Sequence, residues 1–123
     1  MKYSAETIEK YRKAWDERAE EVKRRNESRR QEALQCAQKL AGMLVDRFGA
    51  KKVELFGSVI HKDRFNKDSD IDIAVEGIGP EKYFSAVAEC QTVDFPVDLI
   101  EVATATRLMK ERIARGTVLY EQK

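Results

Sequence analysis

An α/β (α+β) domain with a small mixed sheet packed by helices, behind a long N-terminal helical extension, is the fold that this sequence predicts. Three observations carry it. From about Ser4 to Phe48 there is no proline, Gly42 is the only glycine, and helix formers dominate. Beyond Gly49 the apolar period shortens from about 3.6 residues to about 2. The rest of the chain then interleaves short apolar runs with amphipathic ones, as helices laid on a small sheet require.

In the first element Ile8, Tyr11, Trp15 and Val22 recur at helical spacing, followed by Leu34, Ala37, Leu40, Leu44 and Phe48. Between Asp16 and Glu32 the apolar face thins to Ala19 and Val22. The pattern therefore predicts one long helix, or two joined near Arg24 to Arg30, whose two ends bury different surfaces. Gly49 supplies the C-terminal cap. Val53 to Phe56 reads as a strand and Asp70 to Val75 as a second. Gly77 to Pro80 makes a turn, and Glu81 to Cys90 an amphipathic helix carrying Tyr83, Phe84 and Val87. Asp94-Phe95-Pro96 breaks the chain before a third strand, Val97 to Val102. Thr104 or Thr106 can cap a helix running to Arg115, Gly116 ends it, and Thr117 to Tyr120 forms a last short strand.

At 123 residues the chain fits one domain with a modest core. Its 23 Lys and Arg against 22 Asp and Glu argue against direct nucleic-acid binding by bulk electrostatics. The basic run Lys23-Arg24-Arg25 with Arg29-Arg30 is interspersed with Glu20, Glu21, Glu27 and Glu32, which reads as a solvated face. No apolar run approaches the roughly 18 to 20 residues of a membrane span, and nothing resembles a signal peptide. Cys36 and Cys90 lie far apart without a CxxC or Cys/His cluster, as two reduced thiols would. The expected compartment is the cytoplasm.

The chemistry concentrates in "VELFGSVIHKDRFNKDSDIDIAV", residues 53–75. In a strand, residues i and i+2 share a face. Asp70 and Asp72 therefore project together, and Ile71, Ile73 and Val75 project oppositely into the core. Two carboxylates held so close raise each other's proton affinity unless a cation neutralises them. Hard oxygen ligands suit Mg²⁺, whose coordination is commonly completed by substrate phosphates. Gly57-Ser58 ends the preceding strand, where a glycine admits a ligand close to the backbone and the Ser58 hydroxyl and nearby amides can bind phosphate oxygens. A third acid, Asp98 in "FPVDLIEV", sits in a strand that can lie beside the Asp70–Asp72 strand, about 4.8 Å away. Three carboxylates on two neighbouring strands can hold two metals about 3.5 to 4 Å apart.

The order Gly57-Ser58, Asp70-x-Asp72 and Asp98 resembles the DNA polymerase β-like nucleotidyltransferase superfamily, and within it the minimal nucleotidyltransferases (MNT). The likeness covers roughly residues 33–121, including the closing "RIARGTVLYE". It implies the polymerase β-like nucleotidyltransferase fold and an adenylyltransferase activity: transfer of AMP from ATP to an acceptor hydroxyl, with Mg²⁺ (two ions) and release of pyrophosphate. It also implies a HEPN-type toxin as partner, in a toxin–antitoxin pair whose antitoxin this chain would be. Gly57 and Ser58 match the family's phosphate-binding motif, Asp70 and Asp72 its metal-binding pair, and Asp98 the third acid, which can act as base for the acceptor. Eleven residues, Val59 to Ser69, separate the two motifs, one more than is usual in the family, and Ile60-His61-Lys62 stands where Ala-Arg-Gly is often found. Lys62, Arg64 and Lys67, with Ser69, are the candidates to meet the triphosphate. His61, the single histidine, is expected to be a loop residue near the nucleotide.

Residues 1–32 lie outside the resemblance and read as a helical extension preceding a nucleotidyltransferase domain of residues 33–123. Pairs such as Glu6–Lys10, Glu9–Lys13 and Glu20–Arg24 would hold a solvated helix. The stripe of Ile8, Tyr11, Trp15 and Val22 is more than such a helix needs. It could fold back on the sheet, join a second copy in a homo-oligomer, or dock a partner protein. Two other functions fit the same residues. One is a nucleotidyltransferase acting on a small molecule, and the other is a non-catalytic antitoxin that sequesters a toxin by binding.

Overall fold

Ser4 opens the first helix: in the computed structural model, which describes residues 2–123, its hydroxyl accepts from the Thr7 amide at 3.1 Å. From there a single helix, α1, runs without a joint over Ala5–Phe48. Gly49, at φ 72°, ends it in the left-handed conformation, and the Ala50 amide reaches back to the Leu44 carbonyl at 3.1 Å. Strands β1 (Lys52–Phe56) and β2 (Ile71–Glu76) follow, joined by a 3₁₀ turn at Gly57–Ile60 and a longer loop. Helix α2 (Pro80–Cys90) starts on Pro80, whose missing N–H costs nothing there. Strand β3 (Val97–Glu101), helix α3 (Arg107–Ala114, capped by Thr106) and strand β4 (Thr117–Glu121) complete the chain.

The sheet order is β3-β2-β1-β4. β1 is antiparallel to both β2 and β4, whereas β2 and β3 are parallel because α2 crosses between them. Alternation along the strands divides the core by face. Val53, Leu55, Ile71, Ile73, Val75, Val97 and Leu99 pack with Ala33, Ala37, Leu40, Leu44 and Ala86 from α1 and α2. Phe56 and Ala74 point the other way and pack with Ile113 of α3. This is the mixed α+β architecture expected, with helices on both faces. Leu44 is the largest wholly buried α1 side chain in the first cluster. Leu44→Ala is expected to cost about 2–5 kcal/mol, read as a lower urea midpoint with an unchanged slope.

The two ends of α1 do differ, but only one buries a surface within this chain. Residues Ala33 to Leu44 pack on the sheet, whereas Ile8, Tyr11, Trp15 and Val22 stay exposed, Trp15 by 66%. Among the described residues these side chains stay open to solvent, so the stripe does not fold back on its own sheet. The expected Glu6–Lys10, Glu9–Lys13 and Glu20–Arg24 pairs do not close among the described residues. Glu9 instead meets Arg12 at 3.7 Å, and such exposed pairs contribute too little to be held firmly. Cys36 and Cys90 are free thiols, and burial pushes Cys90 up to about 11. No described helix is long and apolar enough to cross a membrane.

Candidate active site

Strand register assembles the site. Phe56 of β1 pairs with Asp72 of β2, and Asp72 with Asp98 of β3, so the three form a row across the sheet at one end of the strands. Because Ile71, Ile73 and Val75 face α1 and α2, Asp72 faces the α3 side. Asp70 immediately precedes β2 and is exposed, as is Asp98. The chain leaves β1 through Gly57, at φ 80°, into the 3₁₀ turn that carries Ser58. A side chain at Gly57 would overlap the Asp72 carboxylate, so the glycine is what lets the turn and the acid stand side by side.

Asp72 is electrostatically loaded. Burial first, then the nearby Asp98 and Asp70 carboxylates, push it up to about 6, against the opposing pull of Arg112. As the side chains stand, no three His, Cys, Asp or Glu residues among those described converge on one point to hold a metal ion. The donor set nevertheless fits a hard divalent cation: all three acids offer oxygen, two are exposed and free to rotate, and Asp72 is short of compensating positive charge. The loading also sets a pH dependence. Folded Asp72 holds its proton up to about 6, whereas the unfolded residue loses it near 3.8. Stability thus falls as pH rises through that window, and the penalty is complete above it. Allowing for solvent screening of a half-buried group, it amounts to about 1–2 kcal/mol. In chelator-treated protein, the urea midpoint of wild type relative to Asp72→Asn is expected to fall between pH 4 and pH 6 and to stay flat above.

A small cavity of about 210 Å³ opens beside the turn, lined by Gly57, Ser58, Ile60, His61, Arg64, Arg112 and Arg115. Arg112 and Arg115, from the end of α3, are additions that the sequence reading did not include. The Arg112 guanidinium lies over the Phe56 ring at 5.5 Å, with Nη2 4.0 Å from Asp72 Oδ2. Of the other predicted phosphate ligands, the structure brings Arg64 to this cavity and leaves three elsewhere. Lys62 lines a separate cleft against Glu20, Lys23, Arg24 and Glu27 of α1. Lys67 is exposed on the loop. Ser69 closes the loop on itself, its hydroxyl accepting from the Asn66 amide at 3.0 Å. His61 stands in the loop at the cavity wall.

Residues 38–123 match the family described as polymerase beta, nucleotidyltransferase. No curated protein matches the sequence significantly. Among solved structures, the chain is similar to a mutant MntA–HpeT toxin–antitoxin complex, at 20% identity over 71% of this chain and 74% of that one, with a TM-score of 0.60. It is also similar to a complex of the tri-AMPylated Shewanella oneidensis HEPN toxin with its MNT antitoxin, at 21% identity over 73% of each chain (TM-score 0.55). A third is a toxin–antitoxin structure with AMP-PNP, at 20% identity over 70% of this chain and 74% of that one (TM-score 0.57). Identities this low establish a common fold.

Proposed function

This chain belongs to the polymerase β nucleotidyltransferase family, and from that premise we propose that it transfers AMP from ATP to a hydroxyl of a partner protein, as the antitoxin of a HEPN/MNT pair. The observation that carries the reading is the pairing of Asp72 with Asp98 beside Gly57. Acids so placed, next to a turn that a phosphate can approach, support a metal-assisted transfer. Two similar structures support the choice of nucleotide and partner: one holds AMP-PNP, and another an AMPylated HEPN toxin with its MNT antitoxin.

In this reading Ser58 and the amides of its turn bind phosphate oxygens, while Arg64, Arg112 and Arg115 hold the outer end of the triphosphate. Asp70, Asp72 and Asp98 would hold Mg²⁺, which when bound would supply Lewis-acid charge for phosphoryl transfer. Exposed Asp98 takes the proton of the acceptor hydroxyl as its oxygen bonds to the α-phosphorus and the bond to pyrophosphate breaks. Residues 33–123 form the transferase unit, and the exposed Ile8, Tyr11, Trp15 and Val22 offer a surface for the partner.

The test is a pull-down from the native cell followed by intact-mass analysis of the bound partner after incubation with Mg²⁺-ATP. A gain of whole AMP units, dependent on ATP, is the expected result. A partner that binds but never gains mass would leave sequestration as the function.

A further inference from the structure

Resting on the nucleotidyl-transfer reading, we propose that Arg30 of α1 is a positioning residue for the nucleotide, bracing the Gly57–Ile60 turn from behind. Short 3₁₀ turns end with carbonyls that have no partner inside the turn. Here the last internal bond runs from the His61 amide to the Ser58 carbonyl at 3.0 Å, which leaves Val59 and Ile60 to find donors elsewhere. Arg30 provides them: Nε donates to the Val59 carbonyl at 2.7 Å and Nη2 to the Ile60 carbonyl at 3.5 Å. The third nitrogen, Nη1, pairs with Glu27 at 3.0 Å, so the guanidinium is fixed on three sides. Its side chain is only 15% exposed.

The placement joins two remote parts of the chain. Arg30 lies before the family-matched residues 38–123, yet it holds one end of a turn whose other end is Gly57-Ser58. A cation at the C-terminal end of a helical turn is favourable in itself. The planar fork matters further, because a lysine ammonium is a point donor without the fork that bridges both carbonyls and the carboxylate. Without Arg30 the turn is free to open, and the Ser58 hydroxyl and neighbouring amides no longer converge on one phosphate.

The experiment measures the affinity of wild type and variants for Mg²⁺-ATP by calorimetry, alongside amide hydrogen exchange without nucleotide. Arg30→Ala is expected to weaken binding about ten-fold, the scale of losing a charge-assisted hydrogen bond. Arg30→Lys should recover part of that loss. Arg29→Ala removes a neighbour that stacks on the Phe95 ring at 4.7 Å, and should lower thermal stability with affinity unchanged. In Arg30→Ala the His61 amide should exchange faster while Leu55 and Ile73 keep their protection. Affinity within about two-fold of wild type would overturn the brace. If wild type binds no Mg²⁺-ATP, the transfer reading fails instead, and the brace is then judged by the His61 amide, whose unchanged exchange would overturn it.

Discussion

Asp72→Asn is expected to reduce AMP transfer about a thousand-fold or more while leaving the fold more stable than wild type at neutral pH. The amide keeps the shape of the carboxylate but carries no charge to hold a cation or to offset one, and interactions with developing charge are worth that much in rate. Since Asp72 ionises against burial and two neighbouring acids, removing its charge relieves the native state. Loss of activity and gain of stability in one variant separates a site defect from unfolding. Asp70→Asn should lose activity similarly, without a comparable gain, because Asp70 is exposed. Transfer equal to wild type in either variant, measured on the same partner, would remove that acid from the site.

Gly57→Ala is expected to lose about a hundred-fold in rate and to be less stable by about 1–2 kcal/mol. A left-handed backbone at φ 80° carries that penalty for a residue with a side chain. The new methyl also overlaps the Asp72 carboxylate, with Asp72 Cγ at 3.1 Å and Cβ at 3.4 Å, so the acid must move. Displacing a reacting group by about an ångström is enough for the rate effect. Gly42→Ala is the control: nothing lies within 4 Å of the added methyl on α1, and better helix propensity should stabilise by about 0.5–1 kcal/mol. Denaturation midpoints of the two variants should therefore move in opposite directions from wild type, while the transfer rate falls in Gly57→Ala and holds in Gly42→Ala.

What is legible in the sequence is whatever is written locally. Caps at Gly49 and Thr106 and the strand before Gly57 depend on neighbours along the chain, and each lies where its sequence implies. The strand expected from Asp70, by contrast, begins one residue later, at Ile71, and carries only Asp72 of the two acids. The pairing of Asp72 with Asp98 needed one long-range step, the placing of β3 beside β2, which a crossover helix between two apolar strands favours. Arg112 and Arg115 were beyond that reach. Their approach to Gly57 exists only because α3 packs on the face of the sheet opposite α1. Lys62, by contrast, is near Ser58 in sequence yet faces α1 because the 3₁₀ turn carries the chain round.

Arg30 shows a signal that was present and overridden. It reads as part of a solvated basic run, but it also stands three residues before Ala33 and seven before Ala37, on the stripe that α1 buries. Position on that stripe, more than the charge of its neighbours, decided its fate. The arm before it has no such stripe against the sheet, so its exposed aromatics follow from geometry rather than from composition.

The most direct test of the central claim uses ATP labelled at either the α- or the γ-phosphate, with the purified chain, Mg²⁺ and its captured partner. Transfer of AMP requires label on the partner from α-labelled ATP, none from γ-labelled ATP, and loss of the signal in Asp72→Asn. Label arriving from the γ-phosphate, or from the α-phosphate equally well in Asp72→Asn, would contradict it.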